Sequence, residues 1–376
     1  MRIVQIAPTI APGRGVPGVA WELAHAFRAA GHDVESFTYA SVPRMHFDAR
    51  TPVGRRVAQV WRSVRFSTRG TTLAREFLAA RPDAVSLCHN TAVVGDVFID
   101  HGLVSEAMRA HGDSRWRRWG NPHRWFIHIR ERRRLRGPTH RAVVTPTVAE
   151  AETLKRAYGP IGAPVEVIPH GVDLERFHPP TDTERADARA ALHLDTDDRV
   201  ALFIGHDLER KGIHVLIDAL VDAPTVLLLV IGGSRRQIVR ARSRAMNLKV
   251  DARVLFLGPQ PDVVPYLWAA DMFVFPSAYE SSGLVVAEAL ACGIPVIATP
   301  VGIAPDIVTD GVSGYLAPRD PRVFADRMEQ IAEAEPGSWA SAARASVANL
   351  SWERTAAAYI GLMERIAYER TTEEGL

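Results

Sequence analysis

Short hydrophobic runs alternate with longer amphipathic stretches along most of the chain. In the first half, the runs typical of buried strands are 3–7, 34–37, 84–87, 97–99, 142–144 and 165–168. In the second half, they are 200–204, 226–231, 253–257, 272–275 and 295–298, with helical stretches that include 211–220, 234–247 and 284–291. This alternation, in units of about 30 residues, predicts parallel sheets with helices on both faces.

A proline-rich connector divides the two halves of the pattern. It runs from Pro169 to Pro180 and ends in a double proline, which suits a hinge between domains. The α/β pattern on either side predicts two doubly wound domains, 1–175 and 176–351, that face a central cleft. Because ligands of such sheets bind beyond the carboxyl ends of the strands, functional residues should lie in loops that directly follow strands.

Composition excludes several classes of protein. The 376 residues are enough for about two domains, each with its own core. The two cysteines, Cys88 and Cys292, exclude a disulfide scaffold and a four-cysteine zinc site. No apolar run reaches the ~20 residues of a membrane-spanning helix, and the N-terminus becomes polar too early for a signal peptide. We therefore expect a cytoplasmic protein.

The first glycine-rich loop, Gly13 to Gly18, matches the dinucleotide pattern G-x-G-x-x-G, and Glu35 lies near the distance of a ribose-binding acid. In a dinucleotide turn the glycines follow the strand directly, whereas here Pro8 and Pro12 come between. We therefore favour a phosphate or sugar contact at a helix N-terminus, where anions bind well, over a dinucleotide loop or a plain turn.

Two cations follow the first predicted strand of the second half. The loop from Gly205 to Gly212 contains His206, Arg210 and Lys211 just before a predicted helix. Paired cations in such a loop favour a polyanion such as a diphosphate, and the alternative is an ordinary solvated loop. The position directly after a strand favours the binding site.

Two glutamates lie eight positions apart further along the chain. Glu280 occupies a strand-to-helix loop, and Glu288 lies about two turns into the helix that follows. Carboxylates in these places accept hydrogen bonds from sugar and ribose hydroxyls. A solvent-facing helix would show the same spacing, but the apolar residues 285–287 indicate a buried helix.

Taken together, these stretches resemble the retaining glycosyltransferases of family 4, which have the GT-B fold. The matching motifs are Ile168–Asp173, Phe256–Pro259, Tyr266–Asp271, the E-x7-E signature from Glu280 to Glu288, Glu288–Val296, Val301–Gly302 and Asp310–Gly314. The resemblance covers about 1–40 and 140–330 well and 41–140 poorly. It implies that a helix at about 352–376 crosses back to the first domain.

The resemblance also implies roles in binding the sugar donor. Gly15 would let the backbone approach the donor diphosphate, which Arg210 and Lys211 would neutralise. His206 stands where many members of the family have an arginine. The backbone at three further positions would lie against the nucleoside and the phosphates: Gly283, Leu284 and Val285.

For the reacting groups, the resemblance implies that Glu280 contacts the transferred hexose and that Glu288 holds the nucleotide ribose. His101, which follows a predicted strand, would face the sugar and the acceptor, and the alternative is a structural loop histidine. The expected catalytic set is therefore His101, Glu280 and Lys211. Such enzymes transfer a hexose from a UDP- or GDP-linked donor with retention, and we expect no metal and no cofactor beside the nucleotide sugar.

The acceptor implied by the resemblance is a glycan or a lipid-linked molecule in the synthesis of cell-envelope glycoconjugates. Two other classes of protein stay open. One is a dinucleotide-dependent oxidoreductase that uses the first glycine loop. The other is a non-catalytic protein of the same fold that binds carbohydrate or lipid.

Charge is unevenly distributed, although the net charge is only +2. Residues 1–180 contain 26 Lys and Arg against 16 Asp and Glu, and 105–141 alone contains eleven arginines. Such a segment, with aromatic residues between the arginines, suits a solvated or core helix, a nucleic acid or an anionic membrane surface. We favour peripheral binding to the inner face of the cell membrane and expect no nucleic-acid partner. The residues expected at the membrane or the acceptor are Trp116, Arg117, Arg118, Trp119, Arg132, Arg133 and Arg134.

Overall fold

The computed structural model describes residues 1–13, 15–43, 51–110, 122–335 and 337–374, which form two compact units. The first unit is built from the chain up to Gly171 together with Trp352–Leu376, and the second mainly from Val172–Ser351. Each unit has a six-stranded parallel sheet with helices between its strands. The two doubly wound α/β units predicted from the sequence are confirmed.

The first unit alternates strands and helices along the chain. Its strands are β1 (Arg2–Ile6), β2 (Asp33–Phe37), β3 (Ala84–His89), β4 (Val97–Ile99), β5 (Ala142–Thr145) and β6 (Val165–Val167). They pair in the order β2-β1-β3-β4-β5-β6. Its helices before Gly171 are α1 (Val16–Ala29), α2 (Pro52–Arg65), α3 (Thr71–Ala79), α4 (Val104–Ala110), α5 (Pro122–Arg136) and α6 (Val148–Tyr158).

The second unit repeats the plan. Its strands are β7 (Arg199–Gly205), β8 (Val226–Gly232), β9 (Val254–Gly258), β10 (Met272–Phe275), β11 (Val296–Ala298) and β12 (Gly314–Leu316), in the order β12-β11-β10-β7-β8-β9. Its helices are α7 (Asp182–Ala191), α8 (Ile213–Ala219), α9 (Arg235–Asn247), α10 (Val264–Ala269), α11 (Leu284–Ala291), α12 (Ala304–Ile307), α13 (Pro321–Glu333) and α14 (Ala340–Ser346).

The C-terminal helix α15 (Trp352–Glu374) belongs to the first unit and packs on α1. The rings of Phe27 and Tyr359, both fully buried, meet edge to face with centroids 6.3 Å apart. Burial of two such rings is a large hydrophobic contribution to holding this helix. Among the described residues, no helix combines the length and apolar character needed to cross a membrane.

The neighbouring strands β7 and β10 place two loops at the same edge of the second sheet. The loop after β7 is longer than predicted, because α8 begins at Ile213 rather than at residue 211. Gly212 adopts the left-handed conformation (φ 88°), and a Cβ there would lie 2.2 Å from the carbonyl oxygen of Pro276. Glycine is therefore required at this contact between the two loops, and Arg210 and Lys211 lie in the loop itself.

Candidate active site

Three predicted site residues meet at the carboxyl edge of the second sheet. The Arg210 guanidinium donates to Oε1 of Glu280 at 3.0 Å, and Nζ of Lys211 lies 3.4 Å from the same oxygen. The Ser277 hydroxyl donates to this oxygen as well, at 2.8 Å. All three charged side chains are largely buried. Two cations and one carboxylate thus share a site of low solvent access, where electrostatic interactions are stronger than in water.

Backbone contacts hold Arg210 in place. Its guanidinium donates to the carbonyl of Tyr279 and lies 3.6 Å from Oδ2 of Asp207, and its own carbonyl accepts from the N–H of Ala278 at 3.0 Å. These bonds tie the loop after β7 to the loop after β10. Both loops therefore fix the position of the guanidinium.

Arg319 joins the same two loops and was missed by the sequence analysis. Its Nε donates to the carbonyl of Pro276 at 2.9 Å, and another nitrogen donates to the carbonyl of Glu209 at 3.1 Å. Burial lowers the pKa of its guanidinium. The residue lies shortly after β12, so the rule that functional residues follow strands could have found it.

Lys211 extends along an aromatic ring towards the carboxylate. Its ammonium lies 4.6 Å from the ring centroid of Phe275, within the range of a cation–π interaction. A Cβ at Gly205 would lie 2.7 Å from Cδ of this lysine. The methylene groups of Lys211 therefore pack against Gly205, where a side chain would leave no room. This packing restricts the position of the ammonium group.

The N-terminus of α11 lies beside this cluster. Gly283 caps the helix in the left-handed conformation (φ 78°), and it has no side chain that could bond to the first N–H groups. Leu284 and Val285 follow it in the first turn. First-turn N–H groups lack partners within the helix and suit an anion. Glu288 lies in the second turn and is partly buried, and His206 is exposed directly after β7.

The glycine loop of the first unit is a tight turn before α1. Gly15 caps the helix with φ 72°, and a Cβ at Gly18 would lie 1.9 Å from the carbonyl oxygen of Gly13. Glu35 is held by two guanidinium groups, from Nε of Arg81 at 2.9 Å and Nε of Arg2 at 3.1 Å. The glutamate that would bind a dinucleotide ribose is therefore already engaged in ion pairs.

Three histidines lie together in the first unit. Nδ1 of His89 lies 2.9 Å from Nε2 of His101, and the ring of His170 lies 5.6 Å from that of His101. Burial lowers the pKa of His101 well below its usual value, lowers that of His89 to about 3 and lowers that of His170 to about 4. All three rings are therefore neutral near pH 7, and in the His89–His101 pair one ring donates and the other accepts.

His89 was missed by the sequence analysis, although it ends strand β3. For the role in turnover that we propose below for His101, we predict that His89→Leu lowers kcat about 10- to 100-fold, because His101 would lose the bond that sets its tautomer. His89→Gln should retain most activity, since the glutamine amide can donate or accept the hydrogen bond to His101.

The kcat of the wild type should stay flat between about pH 5.5 and 8, because neither the His89 ring nor the His101 ring titrates there. Steady-state kinetics of both variants across this range checks the prediction; unchanged kcat in His89→Leu would contradict it.

The basic segment 105–141 uses several of its charges inside the fold. Arg134 is buried, its Nε donates to the carbonyl of Ala92 at 3.1 Å, and its guanidinium lies 4.6 Å from the ring centroid of Phe98. The prediction that Arg134 belongs to a membrane or acceptor surface is therefore wrong. Arg132 and Arg133 are exposed. The other four residues assigned to that surface lie outside the described residues: Trp116, Arg117, Arg118 and Trp119.

Two family models match the chain in succession. The model described as Glycosyltransferase Family 4 matches residues 13–176, and the one described as Glycosyl transferases group 1 matches residues 184–346. The first match contains the turn at Gly15 and the three histidines. The second contains the cluster of Arg210, Lys211 and Glu280.

Relatives of known name match with moderate identity. The D-inositol 3-phosphate glycosyltransferase of Mycolicibacterium vanbaalenii is 35% identical over 250 residues, which cover 62% of this chain and 55% of the relative. The enzyme of that name from Mycolicibacterium smegmatis is 34% identical over 233 residues, covering 59% and 52%. The chain spans about half the length of the relatives it matches.

Solved structures match over nearly the whole chain. Sucrose-phosphate synthase from Thermosynechococcus elongatus has a TM-score of 0.75 at 23% identity, over 98% of this chain and 99% of that one. WaaG, a glycosyltransferase of lipopolysaccharide biosynthesis, has a TM-score of 0.74 at 19% identity, over 96% and 99%. HepE of Anabaena in complex with UDP-glucose has a TM-score of 0.65 at 18% identity, over 99% and 100%. At these identities the likeness shows a shared fold.

Proposed function

Because the chain belongs to the GT-B glycosyltransferases, we propose that it transfers a hexose from a nucleoside diphosphate sugar to an acceptor with retention of configuration. The observation that carries this proposal is the meeting of Arg210 and Lys211 at the carboxylate of Glu280. Cations there suit a diphosphate, and the carboxylate suits sugar hydroxyls. The family and the GT-B fold class predicted from the sequence are confirmed.

The proposed reaction breaks the bond between the anomeric carbon and the β-phosphate oxygen of the donor. Negative charge then develops on the leaving nucleoside diphosphate, where the cations of Arg210 and Lys211 stabilise it without reorganisation. Glu280 orients the hexose through its hydroxyls. The acceptor hydroxyl attacks on the face that the leaving group departs from, and a leaving phosphate oxygen takes its proton. No side chain acts as nucleophile.

The donor proposed is linked to UDP or GDP. The HepE structure with UDP-glucose makes a UDP-linked hexose the first to test. We propose Glu288 as the ribose ligand, because it lies in the second turn of α11 and is partly buried. The backbone at Gly15 is proposed as a further phosphate contact, since its turn precedes a helix N-terminus.

The acceptor proposed is a glycan or a lipid-linked molecule of the cell envelope. The name of the related mycobacterial enzymes adds a phosphorylated cyclitol to the acceptors that should be tested. We propose His101 as the group that faces the sugar and the acceptor, because its neutral ring can donate or accept a hydrogen bond.

Thermal unfolding separates this proposal from an oxidoreductase. UDP or GDP at about 100 times its dissociation constant should add about 2.7 kcal/mol to the free energy of unfolding. For domains of this size that is a rise of several degrees in Tm. NAD should leave Tm unchanged, because Glu35 is already paired with two arginines. Stabilisation by NAD alone would overturn the proposal.

Turnover separates the enzyme from a binding protein of the same fold. Hydrolysis of a nucleoside diphosphate sugar, followed by release of the nucleotide, should be detectable without acceptor and should fall in Glu280→Ala. Binding of the donor with no hydrolysis and no transfer would favour the binding protein.

Chelation tests the proposed independence of metal. We predict that EDTA changes the transfer rate less than about twofold, because the charges of Arg210 and Lys211 would neutralise the diphosphate in place of a metal ion. Rate measurements with EDTA, and with EDTA plus excess Mg²⁺ as the control, check this. A loss of activity that Mg²⁺ restores would show that the two side chains do not suffice.

A further inference from the structure

Three carboxyl groups lie together inside the first unit, next to the turn that carries His101. Asp100 directly follows β4, Glu131 belongs to α5, and Glu150 lies in the first turn of α6. Asp100 and Glu150 are each 2% exposed, and Glu131 is 6% exposed. A buried carboxylate is costly unless hydrogen bonds or a cation compensate its charge, so the partners of each group decide how many charges the cluster holds.

Glu131 has hydrogen-bond donors of its own. Its Oε2 accepts from the hydroxyl of Tyr158, and its Oε1 accepts from the N–H of Val104 at 3.4 Å. The same hydroxyl lies 3.3 Å from Nδ1 of His128. Glu131 is therefore satisfied as a carboxylate, which leaves the charge of Asp100 and Glu150 to be explained.

Arg134 is the cation that faces the cluster in the described part of the chain. It is buried, and its Nε donates to the carbonyl of Ala92 at 3.1 Å. The Cys88 thiol faces the same guanidinium and is neutral, because burial raises its pKa to about 11. Three ionised carboxylates would therefore leave an excess of negative charge in a buried site.

Asp100 closes the turn in which His101 lies. Its backbone N–H donates to the carbonyl of Val144 on β5 at 2.8 Å, and its Oδ2 accepts from the N–H of Gly102 at 3.3 Å. The two residues on either side of His101 are thus tied together by one carboxyl group. The position of the His101 ring therefore depends on the orientation of this carboxyl.

The side chains of Asp100 and Glu150 are hydrogen-bonded to each other. Two ionised carboxylates cannot form such a bond, because both are acceptors only, so one of the two must carry a proton. Burial, together with the neighbouring carboxyl of Glu150, raises the pKa of Asp100 well above its usual value, which agrees with the geometry.

We propose that Glu150 is a positioning residue for His101, because it shares one proton with the carboxyl of Asp100 and so fixes the turn. The proton supplies the donor between the two side chains, and Oδ2 of Asp100 remains an acceptor for Gly102. One negative charge then remains on the pair, facing Arg134. The effect on turnover rests on the function proposed for His101, whereas the shared proton and the turn can be measured without turnover.

Infrared spectroscopy of the full chain at pH 7 to 8 tests the shared proton, since carboxyl groups exposed to water are ionised there. The C=O stretch of a protonated carboxyl is distinct from the bands of a carboxylate. The wild type should show one protonated carboxyl more than Glu150→Gln or Asp100→Asn, because an amide N–H replaces the proton in each. Glu152→Gln, at an exposed position of the same helix, is the control and should match the wild type. Equal bands in the wild type and both variants would overturn the proposal.

The pH dependence of Tm gives a second measure of the same proton. The folded pair holds a proton that unfolded Asp and Glu release above about pH 4.5, so wild-type stability is lost as the pH rises towards the raised pKa of Asp100. Glu150→Gln needs no such proton. Its Tm minus that of the wild type should therefore grow by a few degrees from pH 5 to pH 8. A difference that does not change with pH would contradict the shared proton.

Glu150→Leu tests the positioning, because leucine removes the partner of Asp100. The amide of Gly102 should exchange faster with deuterium, as measured on a peptide that covers this turn, and kcat should fall about tenfold. The KM for the donor should stay unchanged, since the donor cluster belongs to the second unit. Glu150→Gln should restore both exchange and kcat.

Unchanged exchange in a folded Glu150→Leu would overturn the positioning role. If leucine prevents folding, Asp100→Asn and Glu150→Gln still decide the question through the infrared band and Tm. Absence of turnover in the wild type would remove the proposed reaction, and the exchange experiment would still show whether Glu150 fixes the turn.

Discussion

Replacing Glu280 with glutamine should abolish most turnover and leave the nucleotide bound. Oε1 of this carboxylate accepts hydrogen bonds from Arg210 and the Ser277 hydroxyl and pairs with Lys211. The glutamine amide has the same shape as the carboxylate but carries no negative charge. We expect kcat to fall about 10²- to 10³-fold, the usual cost of losing one preorganised electrostatic contact at a reacting centre. Donor hydrolysis and transfer assays measure it.

The affinity for UDP should behave differently in this variant. In the wild type the carboxylate offsets part of the positive charge of Arg210 and Lys211, and in Glu280→Gln that charge is available to the diphosphate. UDP should therefore bind as tightly as in the wild type or more tightly. Exposed Glu333 in α13 is the matched control, and Glu333→Gln should change neither quantity. Parallel loss of UDP binding and turnover in Glu280→Gln would mean that the residue only holds the loops together.

Replacing Lys211 with alanine should lower kcat/KM about 100-fold. The ammonium is a point charge held 4.6 Å above the Phe275 ring and close to the carboxylate, and no other lysine of the chain lies in this loop. In the proposed reaction this charge stabilises the leaving diphosphate, so the effect of its loss should appear in kcat as well as in KM. Steady-state kinetics over a range of donor concentrations separates the two.

Lys249→Ala is the control for this change, because Lys249 is an exposed lysine of the same unit. It should have wild-type kinetics. Lys211→Arg should recover only part of the activity, since the stem packs against Gly205 and leaves little room for a larger group. An effect of Lys211→Ala on KM alone would show uniform binding of the donor and no role in stabilising the leaving group.

The alternation of apolar and amphipathic stretches was enough to predict both sheets, because buried parallel strands are short continuous apolar runs. Strands β7 and β8 show this most clearly. The start of α8 was misplaced by two residues, since the break at Gly212 depends on its contact with Pro276, 64 positions away. Contacts of this kind leave no local pattern.

Only part of the candidate site could be predicted, because only some of its residues carry a local signal in the sequence. Arg210, Lys211 and Glu280 were found because each lies in a loop directly after a strand or belongs to a motif. Neither Arg319 nor His89 belongs to a motif. The Arg319 guanidinium bonds to the carbonyl of Glu209, which is 110 positions away, and His89 bonds to His101, which lies after the next strand. Arg134 was assigned to a membrane or acceptor surface because its segment combines arginines with aromatic residues, but its guanidinium donates to a backbone carbonyl and lies over an aromatic ring inside the fold.

The most direct test of the donor site is a calorimetric titration of UDP- and GDP-linked hexoses into the wild type and into Arg210→Ala/Lys211→Ala. We predict that at least one of these sugars binds the wild type and that its affinity falls about 100-fold or more in the double variant, because both cations proposed to bind the diphosphate are lost. Equal affinity for the wild type and the double variant, or no binding of any nucleoside diphosphate sugar to the wild type, would contradict it.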